Sequence, residues 1–219
     1  MIDFIQSETQ FFIFCLTTLF TLINPIGIAP LLLVMTERFS KQEKINIAWK
    51  GSFTAFFTLI LFSILGSVIF NVFGITIEAF QIMGGILFFR NGIRMLEIKV
   101  GRSRTTPAEQ EESQESDDIA ISPIGIPLIA GPGAITAAML LSSQTQQFYS
   151  YVTLGLSIFL VLSLVYLILR NGDVLMNVLG TTGMRIIQRL MGLILLVIAV
   201  QFVINGVVSV ITPLISPSF

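Results

Sequence analysis

Four stretches of this chain carry no charged residue, and each is long. Thr9 to Thr36 runs for 28 residues, Gly51 to Ile77 for 27, Ile119 to Leu169 for 51 and Leu190 to Phe219 for 30. A helix of about 20 apolar residues spans the hydrocarbon core of a bilayer. Soluble domains carry roughly 25% charged residues, and this chain carries 11%. It cannot cover a water-facing surface, so the runs read as membrane crossings. The 51-residue run is split by the polar "SSQTQQ" (Ser142 to Gln147) into two. That makes five crossings. Ile77 to about Leu96, weaker because Arg90 and Arg94 lie near its end, makes a sixth.

The basic residues support six. Arg38, Lys41, Lys44 and Lys50 lie between crossings one and two. Arg90, Arg94, Lys99, Arg102 and Arg104 lie between three and four, and Arg170, Arg185 and Arg189 between five and six. These are all 12 Lys and Arg, on one side; Asp3, Glu8 and Glu78 lie on the other. The positive-inside rule then places both termini outside and the basic loops in the cytoplasm of a plasma (inner) membrane protein. No basic region precedes the first run, so it is read as a retained crossing rather than a cleaved signal.

Composition excludes several functions. One cysteine (Cys15) and no histidine rule out an internal disulfide, and neither a metal site nor a cofactor is expected. Lys and Arg are too scattered to hold nucleic acid. No nucleophile elbow, P-loop or paired intramembrane acid is present, so no enzyme is expected.

The chain divides into residues 1–100, an acidic linker over 101–118 and residues 119–219. The linker holds six acids and almost nothing apolar, and reads as a solvated connector or a regulatory segment. The flanking halves look duplicated. "NPIGI" (Asn24 to Ile28) matches "SPIGI" (Ser122 to Ile126) at an offset of 98. "NVFGIT" (Asn71) matches "NVLGTT" (Asn177) at 106, and "MGGIL" (Met83) matches "MGLIL" (Met191) at 108. Three crossings per half is odd, so the second half enters from the opposite face. The expected fold is all-α: six transmembrane helices as two inverted three-helix repeats, the plan of many secondary transporters.

Helix breakers interrupt crossings one and four. Pro25 and Pro30 each lack an N–H, Gly27 tolerates unwound backbone, and Asn24 suits an N-cap. The fourth crossing carries Ser122, Pro123, Gly125 and Pro127, then Gly131, Pro132 and Gly133. In hydrocarbon, broken backbone persists only inside protein or against a wet cavity. A half-helix starting near Pro25 aims N–H groups at the membrane interior, where they suit a carboxylate. Proline kinks with glycines for close packing are the alternative. Arg90 either snorkels to the headgroups or pairs inside the bundle. Glu78 is the visible coupling candidate at an outer end, with Arg90 beside it in that role. Gln81, Asn91, Gln188, Gln201 and Asn205 suit interhelical hydrogen bonds.

Taken together, "NPIGIAP", "IPLIAGPGAI" (Ile126 to Ile135) and "RLMGLILLVIAVQFVINGV" (Arg189 to Val207) resemble the signatures of the MarC family of multi-pass inner-membrane proteins. The resemblance covers essentially the whole chain. It implies six crossings and a transporter of small neutral amino acids such as glycine and alanine, coupled to protons. Asn24, Pro25, Gly27 and Pro30, and Pro127, Gly131, Pro132 and Gly133, match the family motifs. The expected partners are that substrate and the lipid bilayer. An exporter of related metabolites and a non-transporting scaffold remain as alternatives.

Overall fold

The computed structural model describes residues 2–97, 116–145 and 148–215, and among these every regular element is helical. Helix α1 (Ile2–Ile23) ends at Asn24, and α2 (Pro25–Met35) follows at once. Next come α3 (Lys41–Phe73) and α4 (Ile77–Glu97). In the second half, a short turn α5 (Ser116–Ile119) leads into the irregular α6 (Ala120–Ile129), then α7 (Pro132–Ser143), α8 (Phe148–Arg170) and α9 (Gly172–Ile215). The expected linker lies outside the described residues, except for 116–118, which fall in α5.

Local chemistry sets the boundaries. Ser40 and Glu43 form a capping box at the start of α3: the Glu43 carboxylate accepts from Ser40 N at 2.8 Å. Gly74 ends α3 in the left-handed region (φ 62°), a conformation open to glycine without a Cβ clash. Gly180 (φ 60°, ψ −179°) interrupts α9 in a different positive-φ conformation, one open essentially to glycine alone. These are the two positive-φ glycines among the described residues, and they stand 106 positions apart, where "NVFGIT" and "NVLGTT" align.

Four helical stretches are long and apolar enough to cross a membrane: Glu8–Met35, Lys41–Gly66, Phe148–Arg170 and Thr182–Thr212. Counting the bent pair α6 and α7 as one span gives up to five. Helix α4, expected as the third crossing, is not among them. Its 21 residues include Glu78, Arg90, Arg94 and several polar side chains.

Contacts fix the relative helix directions. Gly92 faces Gly192 and Gly85 faces Ala199 and Val203, while Gly206 faces Glu78 and Ile82, so α4 and α9 run antiparallel. Trp49 meets Tyr166 and Phe56 meets Phe159, making α3 and α8 antiparallel. Gly51 lies against Ala120 and Ile124, and Gly66 against Met139, so α3 runs with α6–α7. The α4–α9 seam has no room for side chains. A Cβ on Gly92 would stand 3.0 Å from Gly192 O, and one on Gly192 3.0 Å from Gly92 O. Such close backbone approach suits helices that cannot draw on the hydrophobic effect for association.

The core centres on α7. All of it from Gly133 to Ser142 is buried except Ile135. Its small residues Ala134, Ala137 and Ala138 pack among Leu19, Ala55, Leu59 and Phe88 of the same core.

Candidate functional site

The first break is built by Asn24. Its backbone is left-handed (φ 50°, ψ 61°), the one non-glycine positive φ among the described residues. Asparagine tolerates this conformation better than most residues do. Its Oδ1 accepts from Gly27 N at 3.2 Å, so the residue caps the helix it starts. Gly27 is needed there because a Cβ would overlap the Asn24 amide. Pro25 occupies the first helical position and is buried. Lacking N–H groups, Pro25 and Pro30 leave the carbonyls of Thr21 and Ile26 without their intrahelical donors.

The second break is built without a side chain. Gly131 is the N-cap of α7, extended (φ −74°, ψ 168°), with no side-chain cap, and Pro132 takes the first helical position. The N–H groups of Gly133 and Ala134 in the first turn therefore have no intrahelical acceptor. α6 and α7 meet at 61°. Gly133 is buried, and a Cβ on it would lie 3.2 Å from Asn91 Nδ2 and 3.3 Å from Leu22 Cδ2. The start of α7 thus sits against Asn91 of α4 and against α1 two residues before Asn24.

This geometry offers a second pairing of the breaks. Asn24–Pro25 and Gly131–Pro132 each form an N-cap and first helical residue, 107 positions apart. The starts of α3 and α8, Lys41 and Phe148, are also 107 apart. The offset of 98 pairs "NPIGI" with "SPIGI", whose leading residues differ in conformation: Asn24 is a left-handed N-cap and Ser122 is extended. Ser122 (φ −133°) and Ile126 (φ −134°) are extended, each before a proline joined by a cis peptide bond. Proline disfavours the helical region for the residue before it. Here the breakers shape α6 for packing: a Cβ on Gly125 would stand 2.9 Å from Thr54 Cβ. Ser122 and Pro127 are exposed, as is Pro132, and Pro123 is half-buried.

The ionisable candidates separate as well. Arg90 is exposed on α4, not buried in the bundle. Glu78 is half-buried in the first turn of α4, its carbonyl against Gly206. Sequence reasoning passed over Glu8. Its carboxylate accepts from Ser150 Oγ and Thr153 Oγ1, both at 3.0 Å, and ties α1 to α8. The spacing of Ser150 and Thr153, one helical turn apart, was the available signal. Gln201 and Asn205, expected to bond between helices, bond to each other along α9 at 2.6 Å. Thr18 is fully buried with no partner for its hydroxyl. It lies one turn from Leu22, on the same face of α1.

An all-helical chain with four to five spans, its broken segments packed into a common core, is an integral, multi-pass membrane protein. Residues 9–211 match the model of the MarC family integral membrane proteins, and the chain belongs to that family. A UPF0056 membrane protein of Methanocaldococcus jannaschii is 36% identical over 204 residues, spanning 91% of this chain and 97% of that one. The UPF0056 membrane protein YvbG of Bacillus subtilis is 36% identical over 198 residues, spanning 90% and 94%. One from Archaeoglobus fulgidus is 36% identical over 208 residues, spanning 92% and 94%. No solved structure matches.

Proposed function

We propose that the protein is a secondary transporter of small neutral amino acids across the plasma membrane, coupled to protons. The substrate lies between the starts of α2 and α7. The proposed topology is six alternating crossings, as two three-helix units inserted with opposite orientation. Three facts support that topology. α4 and α9 are antiparallel. α3 and α8 are antiparallel. Corresponding landmarks recur 106 to 108 residues apart. Both termini are then outside and the basic loops are cytoplasmic.

The observation that carries the reading is the uncapped start of α7, buried beside Asn91. Free N–H groups at the positive end of a helix dipole suit the substrate carboxylate. Asn91 Nδ2 is a further donor on the same side. The start of α2 is less suited to an anion, because Asn24 already caps it. The carbonyls of Thr21 and Ile26, deprived of donors by Pro25 and Pro30, are acceptors for the ammonium. With neutral partners on both sides, the site favours a zwitterion over a dicarboxylate or a cation. The packed surroundings, where Leu22 lies against Gly133, favour a small side chain. Glu8 and Glu78, half-buried carboxylates, are the candidates for proton coupling.

Uptake of labelled glycine and alanine into proteoliposomes tests this. Substrate-dependent flux, raised by a proton gradient, is expected. Flux no greater than that of empty vesicles across a panel of neutral amino acids would remove the transporter reading and leave a scaffold. Flux in the outward direction alone would make the protein an exporter using the same site.

A further inference from the structure

The outward side of α9 carries two amides. Gln201 and Asn205 are both exposed and stand one helical turn apart. The outward faces of α3 and α8 differ. Between Phe53 and Leu65 of α3, and between Val152 and Leu167 of α8, every residue described as exposed is apolar. Depth makes the amides of α9 costly. Arg189 marks the basic end of that helix, and Gly206 lies level with Glu78 at the other end. Those two levels are about 26 Å apart along the helix, close to the thickness of a hydrocarbon core. Gln201 falls about 8 Å inside the interval. An amide at that depth needs hydrogen-bond partners. Asn205 meets part of the need, since its Oδ1 accepts from Gln201 Nε2 at 2.6 Å. Gln201 keeps its Oε1 acceptor and a second Nε2 hydrogen. Among the described residues, no other hydrogen bond takes them up.

The face around Gln201 has a regular form. Ile194, Val197, Gln201, Ile204, Val208 and Ile211 follow one another at alternating steps of three and four residues, and all six are exposed. That is the seam spacing of helices wound left-handedly around each other. The seam lies opposite the face that holds Gly192 and Gly206 against α4. Every member but Gln201 is β-branched, and side chains with few rotamers lose little freedom on packing. No residue from Leu190 to Ile211 is charged. Arg185 and Arg189 lie about 100° or more around the helix from the seam.

We infer that this face binds a second copy of the chain, α9 against α9, about a two-fold axis along the membrane normal. Depth selects the partner. A copy inserted in the same direction holds its own Gln201 at the same level, with the same unused acceptor and hydrogen. Each Nε2 then donates to the Oε1 of the partner's Gln201, and one patch serves both copies, as a two-fold interface requires. A single polar residue within an apolar seam also fixes the register of the pair. An acyl chain offers the amide neither donor nor acceptor.

Disulfide trapping tests this. Ile204→Cys and Val152→Cys proteins are reconstituted in lipid vesicles over a series of protein-to-lipid ratios and oxidised with copper phenanthroline. Val152 is exposed on α8, away from the seam. Unaltered protein is the blank, because Cys15 is buried. Ile204→Cys should give disulfide-linked dimers that persist on dilution in lipid, while Val152→Cys stays monomeric. Adding Gln201→Leu to Ile204→Cys should move half-dissociation to a protein density about tenfold higher, the order of factor that interhelical hydrogen bonds give in a bilayer. Circular dichroism checks that this variant keeps its helices. Monomers from both cysteine proteins at every ratio overturn the inference and leave the face to lipid or to another protein. Equal trapping at the two positions overturns it as well, because it reports random collision. Dimers that Gln201→Leu does not weaken overturn it too, since the amide would then not select the partner.

Discussion

The starts of α2 and α7 solve one problem in two ways. Each has a proline at its first helical position, and each follows a break in an apolar segment. At α2 the preceding residue is Asn24, whose side chain turns back and accepts from Gly27 N. At α7 it is Gly131, which has no side chain to offer. The first start is closed on itself. The second leaves donors unspent, in a buried position against Asn91 and Leu22. A protein concerned only with stability would cap both. In the proposed function, the substrate carboxylate completes α7.

Substitutions that exchange the two solutions should break this contrast, and the largest effect is expected at Gly131. Gly131→Asp sets a carboxylate where the substrate carboxylate is proposed to sit. Like charges brought together cost several kcal/mol, so uptake should fall by about a hundredfold or more. The fold should survive, because the extended backbone at Gly131 (φ −74°) accepts a side chain. Circular dichroism and elution volume check that point.

Asn24 comes next, and here the effect is on stability. Asn24→Ala removes a cap worth ~1 kcal/mol and keeps a Cβ in the left-handed region without the short polar side chain that lets asparagine tolerate it. Asn24→Gly loses the cap but not the conformation, and should cost only a few tenths of a kcal/mol. Thermal unfolding in detergent ranks the pair. Equal losses would mean that the left-handed backbone at Asn24 matters less than its cap.

Gly133→Ala is expected to be smaller. Alanine gains up to about 1 kcal/mol of helix propensity over glycine. Its Cβ would crowd Asn91 and Leu22 at 3.2 and 3.3 Å, and overpacking costs ~1–3 kcal/mol. A net loss of about 1 kcal/mol is expected, with a larger loss of affinity because the donors of α7 are partly covered. The smallest effect should be Thr18→Val. Removing a buried hydroxyl without a partner is neutral or slightly stabilising. A clear loss of substrate affinity there would extend the site one turn along α1.

Much of this contrast was legible in the sequence. Charge-free runs marked the membrane segments, and proline with glycine marked both breaks. Asn24 was recognisable as an N-cap because its side chain is short and polar. The pairing of the breaks was not legible. "NPIGI" and "SPIGI" share letters, yet backbone conformation follows the residue's place in the packed helix. The residue that stands before the proline of α7, as Asn24 does before that of α2, is a glycine, which leaves no likeness for an alignment to find. The role of Glu8 was hidden for a related reason. Its partners Ser150 and Thr153 are more than 140 residues away, and only the parallel packing of α1 on α8 brings them together. The weak apolar character of α4 was visible, and its glycines are explained by the close seam with α9.

The central claim is that the uncapped start of α7, not the capped start of α2, receives the substrate carboxylate. The most direct test is alanine uptake by proteoliposomes carrying Gly131→Asn beside those carrying Asn24→Gly. Gly131→Asn gives α7 the same self-cap that α2 has, and should stabilise the fold slightly while lowering uptake about tenfold or more, the loss of one charge-assisted hydrogen bond pair. Asn24→Gly should leave uptake within about twofold, since N-cap Asn to Gly costs only a few tenths of a kcal/mol. Full uptake by Gly131→Asn together with loss in Asn24→Gly would contradict the account and move the carboxylate to α2.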